Sequence, residues 1–529
     1  MKYIHILFCC FLYLSTFSQE EFKVKKGKTF FEEKKYTYLE HIVEDPQGGY
    51  VLLRPDYAKF LDNWSFKGYF VEHYDRDLNM LKLGKYGNKK TKILGGFIKD
   101  DKLYVIEDLS DLKAVPNKKI KVVVNASSLK KLDFEEKEIL YINLREKYGH
   151  LIDFFEKDEG PISRKDFLKF KFSQNKKSFA MSFHLKVKEL EYHNIYAFDD
   201  NLEQLYTNEI VLKSKDHTFE FDDIVIDDED QSTYLVGKNY PNMGSVTPKE
   251  HKMNFEIYKF NTSFSISTKV SIGEGTVNQL FPFFHEDRLF FITAFQDESD
   301  TSKKGFTFLE VDKKNLETTK QFFIPIKQQM LNNNLKGIEK IRVAFNHDLQ
   351  NKDLFNFRVK SIDITKNGDF VLVAEEHYQY IQSSQHHSVL IDYHGAILTV
   401  RFNEDGNLKT ATLIHKNQHD AVQRSNFNSI INFYHNDKMH YVFNYKRKKE
   451  AKKGDKIEYK GSGSVKPNLV MLTLDQEGNV YDKDIVPYSE QGVHYMVKNG
   501  FFNKEENRLL LFGNNPKGKK KQLMVLDFN

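Results

Sequence analysis

Past its first eighteen residues the chain contains no cysteine. The two it has, Cys9 and Cys10, sit together inside an apolar N-terminal run. A chain cut after that run has no disulfide, no thiolate metal site and no cysteine nucleophile. Neither cysteine suits lipidation, since both lie mid-run with no small-residue box before them. Proline is scarce, at 11 residues, and tryptophan occurs once, at Trp64. Charge of one sign is lacking too. A net +4 over 529 residues excludes a dedicated nucleic-acid binder, which needs a strongly basic domain. After the N-terminal run no apolar stretch reaches the ~20 residues that cross a bilayer. G-x-S-x-G, H-E-x-x-H, the P-loop and the dinucleotide fingerprint are all missing. EF-hand spacing is missing as well. The acidic runs Asp222-Asp223 and Asp227-Asp228-Glu229-Asp230 therefore read as hairpin-turn residues rather than calcium ligands.

What the chain does have is strand-forming chemistry. Phe (46) and Tyr (28) are abundant. Residues 1–18 carry one early Lys2, an apolar core from Tyr3 to Leu14, and Thr16 and Ser18 at −3 and −1 of a cleavage before Gln19. This is the pattern of a secretory signal peptide, with 19–529 as the mature domain.

The clearest repeat unit runs from Val359 to Lys416. Ile362 and Ile364 alternate with Ser361, Asp363 and Thr365, the period of a half-buried strand. Asn367-Gly368 supplies a tight turn, and Phe370 to Ala374 is continuously apolar, as in a strand buried on both faces. Ala396, Leu398, Val400 and Phe402 share one side of the next strand. Asp405-Gly406 turns the chain back into Leu408 to Ile414. This is a four-stranded antiparallel meander. One such sheet cannot bury both faces, whereas sheets stacked radially can.

The same grammar recurs eight times, opening near His41, Phe97, Phe172, Ile224, Phe281, Val359, Ile430 and Phe502. Seven is the alternative count, because the second unit is weak. The expected fold is an all-β β-propeller of four-stranded antiparallel blades. The eighth unit lacks a fourth strand, and Phe22 to Leu39 is left over. An N-terminal strand that completes the last sheet and closes the ring accounts for both. Insertions are expected near 147–169, with a short helix at 163–167, and near 328–356.

Within each unit the first-to-second and third-to-fourth turns are short, and the second-to-third loops are long. The long loops should crowd one face, where binding residues concentrate on a rigid scaffold. Candidate ligand-face residues are Tyr57 and Trp64 in the first long loop, and His377, Tyr378 and His394 in the sixth. Two basic runs add Lys446, Arg447, Lys448 and Lys449, and Lys519 and Lys520. A cationic patch there would attract an anionic glycan, a lipid headgroup or an acidic protein. Solvated, mobile loops are the plainer account. Nine of the nineteen histidines fall between His347 and His440. His415 and His419 would share a metal only on a helix, and that segment reads as strand running into loop, so no metal and no cofactor is expected.

The stretches N-G-D-F-V-L-V-A-E-E-H-Y (367–378), A-I-L-T-V-R-F-N-E-D-G-N-L (396–408) and N-L-V-M-L-T-L-D-Q-E-G-N-V (468–480) resemble exported β-propeller-like proteins of Bacteroidota, a group without an assigned function. The resemblance covers the last third of the chain well and the rest as a pattern. It implies a fold class and export, and transfers no functional residue. Relatives sent across the outer membrane usually carry a C-terminal sorting domain, and this chain ends inside its last repeat. Periplasmic or outer-membrane-associated residence is thus expected ahead of release to the medium. The functional expectation is a monomeric, non-enzymatic binding or scaffold protein. Its partner would be a protein or an anionic glycan or lipid, held on the long-loop face. The alternative is a polysaccharide-acting hydrolase or lyase with carboxylates at the central channel.

Overall fold

Eight antiparallel sheets follow one another along the chain, each built on four strands. They occupy residues 41–86, 93–143, 168–213, 217–270, 275–325, 357–414, 431–486 and 494–528, and are called blades one to eight. The computed structural model describes residues 22–32, 38–60, 63–111, 118–148, 168–187, 190–213, 217–241, 254–270, 272, 275–277, 279–297, 304–326, 356–383, 388–445, 459–461, 467–487, 492–515 and 519–528. The leader, the helix expected at 163–167, the insertion near 328–356 and Lys446, Arg447, Lys448 and Lys449 lie outside these residues.

Each blade packs on the next through an apolar layer. Blades five and six share Phe290, Phe308, Leu372, Leu398, Val400 and Phe402. Blades six and seven share Val371, Val373, Ile397, Tyr441 and Leu472. The eighth returns to the first through Leu510, Phe512 and Val525 against Tyr50, Leu52 and Tyr74. Alternate residues of one strand therefore feed two different cores, which is why Phe370–Ala374 is apolar without interruption. The fold is a β-propeller of eight blades.

The eighth blade takes its outer strand from the other end of the chain. Phe22–Lys26 runs antiparallel to Lys520–Phe528, with Phe22 opposite Phe528 and Lys26 opposite Met524. Phe22 is buried in the layer between blades seven and eight.

The turns behave as their residues dictate. Gly368 (φ +79°) and Gly406 (φ +80°) occupy the left-handed positions of the two tight turns in blade six. The Asn403 side chain accepts from the backbone N–H groups of Asp405 and Asn407, so the Asn403–Asn407 run closes its own turn. Asp227 likewise accepts from the N–H of Glu229, and Asp230 from that of Ser232. One detail departs from the sequence pattern. In Phe357–Ile364 it is Asp363 that is buried, while Ile362 and Ile364 are half-buried. This strand is innermost, so both its faces meet neighbours, and Lys504 of blade eight neutralises Asp363 at 2.9 Å.

The basic run at 517–521 is not all loop. Lys519 is exposed and Lys520 half-buried, while Lys521 lies inside the sheet, 4.0 Å from Glu32 of the N-terminal segment. Burial pushes the Lys521 ammonium down to about 7, with Glu32 working against the shift. Above pH 7 the folded protein has given up this proton, whereas the unfolded chain keeps it to about pH 10.4. Stability should therefore rise with pH across that window. Lys521→Met should flatten the slope and add roughly 2 kcal/mol at pH 7, less at pH 9, after allowing for the lost attraction to Glu32. Urea denaturation of both proteins at the two pH values measures it.

Candidate functional site: a buried histidine–carboxylate network on blade six

The second and third strands of blade six are long, Phe370–Ser383 and Ser388–Phe402, and pair out to Ser383 opposite Ser388. The loop expected between His377 and His394 is thus mostly a projecting hairpin. Its Tyr, Ile and Val residues continue the ladder, so only 384–387 separate the strands. Blade one repeats this on a smaller scale, with Tyr50–Phe60 pairing with Asn63–Tyr74.

A register irregularity between Glu375 and His377 places His377 opposite His394. The imidazoles stack with centroids 4.5 Å apart and planes 19° from parallel. Asp392, two residues before His394, points to the same face. His377 Nε2 lies 2.7 Å from Asp392 Oδ1, and His394 Nε2 lies 3.1 Å from Oδ2. Gln379 Nε2 donates to Oδ1 at 3.2 Å, and Lys498 Nζ of blade eight is 3.5 Å from Oδ2. Burial would raise the Asp392 pKa. The two histidines and Lys498 outweigh it and hold the carboxyl well below the usual range.

Behind the histidines lies an ion pair with no exposure to solvent. Lys416 Nζ is 2.8 Å from Glu375 Oε1 and donates to His394 O (3.1 Å) and Gln418 Oε1 (3.0 Å). Ser429 Oγ donates to Glu375 Oε2 at 2.6 Å, and His394 Nδ1 is 3.3 Å from the same oxygen. Burial opposes ionisation of both partners. For Glu375 it is overcome by Lys416, His394 and Lys360, which hold the carboxyl low, whereas Lys416 itself is lowered by burial despite Glu375. The salt-bridge distance and the two further acceptors of Lys416 favour the ionised pair.

Lys416 gets there because the chain does not leave the blade after Ile414. Lys416–Ala421 runs on beside the hairpin, with Gln418 opposite His394 and Ala421 opposite Ile391. Tyr459–Gly461, beyond the basic run of blade seven, then pairs in parallel with Lys416–Gln418. His415 links the strands Leu408–Ile414 and Lys416–Ala421 and His419 lies in the second, so in this extended run they are about 13 Å apart along the chain and share no metal geometry. His419 is exposed.

Of the sequence candidates, the structure brings together His377 and His394, while Tyr378 takes the opposite face of the hairpin and stacks on Tyr393 at 4.5 Å. Tyr57 does not belong to an open platform. It is half-buried among Tyr38 and Phe66, with ring distances of 6.4 and 5.6 Å, because Phe66 is its cross-strand partner and Tyr38 of the preceding segment packs against it. Trp64 lies in the strand Asn63–Tyr74, opposite Lys59, and not in a loop. Lys519 and Lys520 are on blade eight, just before and at the start of the strand Lys520–Phe528 that pairs with the N-terminal strand. Sequence reasoning missed Glu375, Asp392, Lys416 and Lys498. One signal was available. Asp392-Tyr393-His394 recurs as Glu191-Tyr192-His193 on the third strand of blade three, where His193 again faces a histidine, His184.

A second feature is the cavity of 930 Å³ at the hub, lined by the innermost strands of blades three to eight. Phe172, Phe283 and Phe433 give it an aromatic wall. Four of its carboxylates have lysine partners: Asp223 with Lys171 (3.6 Å), Asp363 with Lys504 (2.9 Å), and Asp227 and Glu229 with Lys313 (2.8 and 3.4 Å).

Among the described residues no helix is long and apolar enough to cross a membrane. No family model matches the chain, and no curated protein does. Solved structures similar to it include the β-propeller domain of the Trilobed protease from Pyrococcus furiosus, at 10% identity and TM-score 0.36, covering 86% of this chain and 100% of that one. The polysaccharide lyase Uly1 is similar at 8% identity and TM-score 0.39, covering 96% and 99%. So is the WD40 domain of SCAP from fission yeast, at 8% identity and TM-score 0.35, covering 96% and 99%. What the chain itself establishes, through its sheet order and the eight apolar layers between blades, is a β-propeller that carries a buried ionic network beneath one projecting hairpin.

Proposed function

We propose that the protein is an exported binding protein that presents the blade-six hairpin to a protein partner. The observation that supports this is the contrast between the tip and base of that hairpin. At the tip Tyr378, Tyr380, Ile381, Val389 and Leu390 are all exposed, Ile381 at 67%. At the base Glu375, Asp392, His394 and Lys416 are buried and fixed by hydrogen bonds. Five large apolar groups on one projection are a cost in water unless something covers them. A rigid base lets them bind without ordering a loop first. In the alternating pattern Ile381 and Leu390 extend the face that carries His377 and Asp392, so a partner seated on them would also meet the His377 and Lys498 side chains.

The polysaccharide-acting alternative locates its carboxylates in the hub, where Asp223 and Asp363 carry lysine counter-ions. That pairing suits anchoring of the inner strands better than proton transfer to a glycoside.

The test is site-specific photocrosslinking in the envelope of the producing cell. A photoreactive side chain at Ile381 should give a discrete protein adduct. The same group at Lys366, exposed on the short-turn side of the same blade, should give none. No adduct at Ile381, or equal adducts at both positions, overturns the proposal. Ile381→Asp should abolish the partnership while changing stability by no more than about 0.5 kcal/mol, since the residue is exposed.

A further inference from the structure

The hairpin of blade three holds the second histidine–carboxylate group, and its geometry differs from that of blade six in the way that decides its chemistry. His184 and His193 are direct cross-strand partners on Ser178–Val187 and Leu190–Asp199. Their rings stack at 4.5 Å, 9° from parallel. Glu191, two residues before His193, shares its face and is 1% exposed. One oxygen, Glu191 Oε2, lies 3.7 Å from His184 Nε2 and 4.0 Å from His193 Nε2. All three atoms lie within 4.8 Å of one another.

These separations are too long for hydrogen bonds. They are close to the edge of a coordination polyhedron. Two ligands about 2.0–2.1 Å from one tetrahedral Zn2+ are about 3.4 Å apart. Small side-chain rotations close the difference. Among the described residues, Glu191 Oε2 and His184 Nε2 are buried and make no hydrogen bond. A carboxylate buried this deeply requires a compensating positive charge. In blade six the shorter Asp392 has already met that need. Each of its oxygens takes one histidine at 2.7 or 3.1 Å, and Lys498 adds a cation. That carboxylate is saturated, while the one in blade three is not.

We propose that His184, Glu191 and His193 form a zinc-class site, with two imidazole nitrogens and one carboxylate oxygen as protein ligands. The donor set is the borderline nitrogen–oxygen type that selects Zn2+ over Ca2+ or Mg2+. Three protein ligands leave a fourth position for water or a small anion, and His184, 35% exposed at its side chain, is the ligand that borders solvent. Tyr258 of blade four, its ring 6.2 Å from that of His193, closes the inner side. This revises the expectation that the chain binds no metal, which rested on helix-type spacing. On paired strands, ligands come instead from opposite residues and from i, i+2 neighbours.

Metal titration of the chelator-treated full chain tests this. Co2+ should bind with one equivalent and give visible d–d absorption. Zn2+ should displace it, and excess Mg2+ or Ca2+ should not. Losing an outer-shell partner typically weakens a metal site by about 10–100-fold, so H184A and E191Q should each weaken Co2+ binding by at least ~100-fold. H377A, on blade six, should bind as the wild type does. His184 is partly exposed, so metal-free H184A should melt as the metal-free wild type does, separating lost ligation from lost fold. No Co2+ uptake by the wild type, or loss of uptake in H377A but not in H184A and E191Q, overturns the assignment.

Discussion

Lys416→Met should lower folding stability by about 3–5 kcal/mol, the usual cost of stranding one member of a buried ion pair. Glu375 sits at 1% exposure, and Lys416 supplies its nearest positive charge at 2.8 Å. Without that ammonium the carboxylate keeps the Ser429 hydroxyl, the His394 Nδ1 contact and one partly exposed cation, Lys360 Nζ at 3.6 Å, which is more weakly held and more screened than Lys416. Methionine fills the space and cannot replace the donors to His394 O and Gln418 Oε1. Urea denaturation of the two proteins measures the loss. Adding Glu375→Gln should recover part of it, because the stranded charge goes. Hydrogen exchange should quicken at 388–394 and 416–421, since Lys416–Ala421 is held to the hairpin there. A loss below about 1 kcal/mol would mean that the pair is neutral or hydrated in the folded protein.

Arg54→Met should have an effect of similar size, about 3–5 kcal/mol, at the junction where the first blade meets the last. Arg54 is fully buried. Its guanidinium forks between Glu72, with Nε 3.0 Å from Oε2, and Glu32 of the N-terminal segment, with Nη1 3.3 Å from Oε2. It also faces three rings: Phe30 from that segment, Phe70 from blade one and Phe512 from blade eight, at 5.7, 5.5 and 5.3 Å. One side chain thus ties three parts of the chain together. Its removal leaves Glu72, at 2% exposure, with the Tyr74 hydroxyl at 3.1 Å as its remaining close donor among the described residues. The double variant Arg54→Met/Glu72→Leu should recover most of the loss, a recovery that simple loss of packing would not show. Limited proteolysis should then cut the single variant first near residue 32, because Glu32 loses its main anchor.

The repeat and its turns were legible because they are local. Residue alternation fixes which face a side chain takes, and Asn-Gly or Asp-Gly fixes where the strand reverses. The weak second unit proved to be a full blade, with strands Ile93–Lys99, Lys102–Asp108, Lys119–Ser128 and Glu135–Asn143. The leftover N-terminal residues paired with the C-terminal strand as the missing edge required. The projecting hairpin was less legible. Y-Q-Y-I-Q-S mixes exposed apolar and polar residues in a way that alternation alone assigns to a loop.

The sequence by itself determined an all-β chain of repeated four-stranded units, since period and turn chemistry act over a few residues, and it left the count between seven and eight. Only the tertiary structure decided which charged side chains are chemically special. Glu375, Asp392, Lys416 and Lys498 come from four separate stretches, and Lys521 sits in what reads as an open basic run. A charge acquires an unusual state from the water it loses and the partners it gains. Both are set by which strands the fold brings together, and the charged residue's immediate neighbours in sequence do not record them.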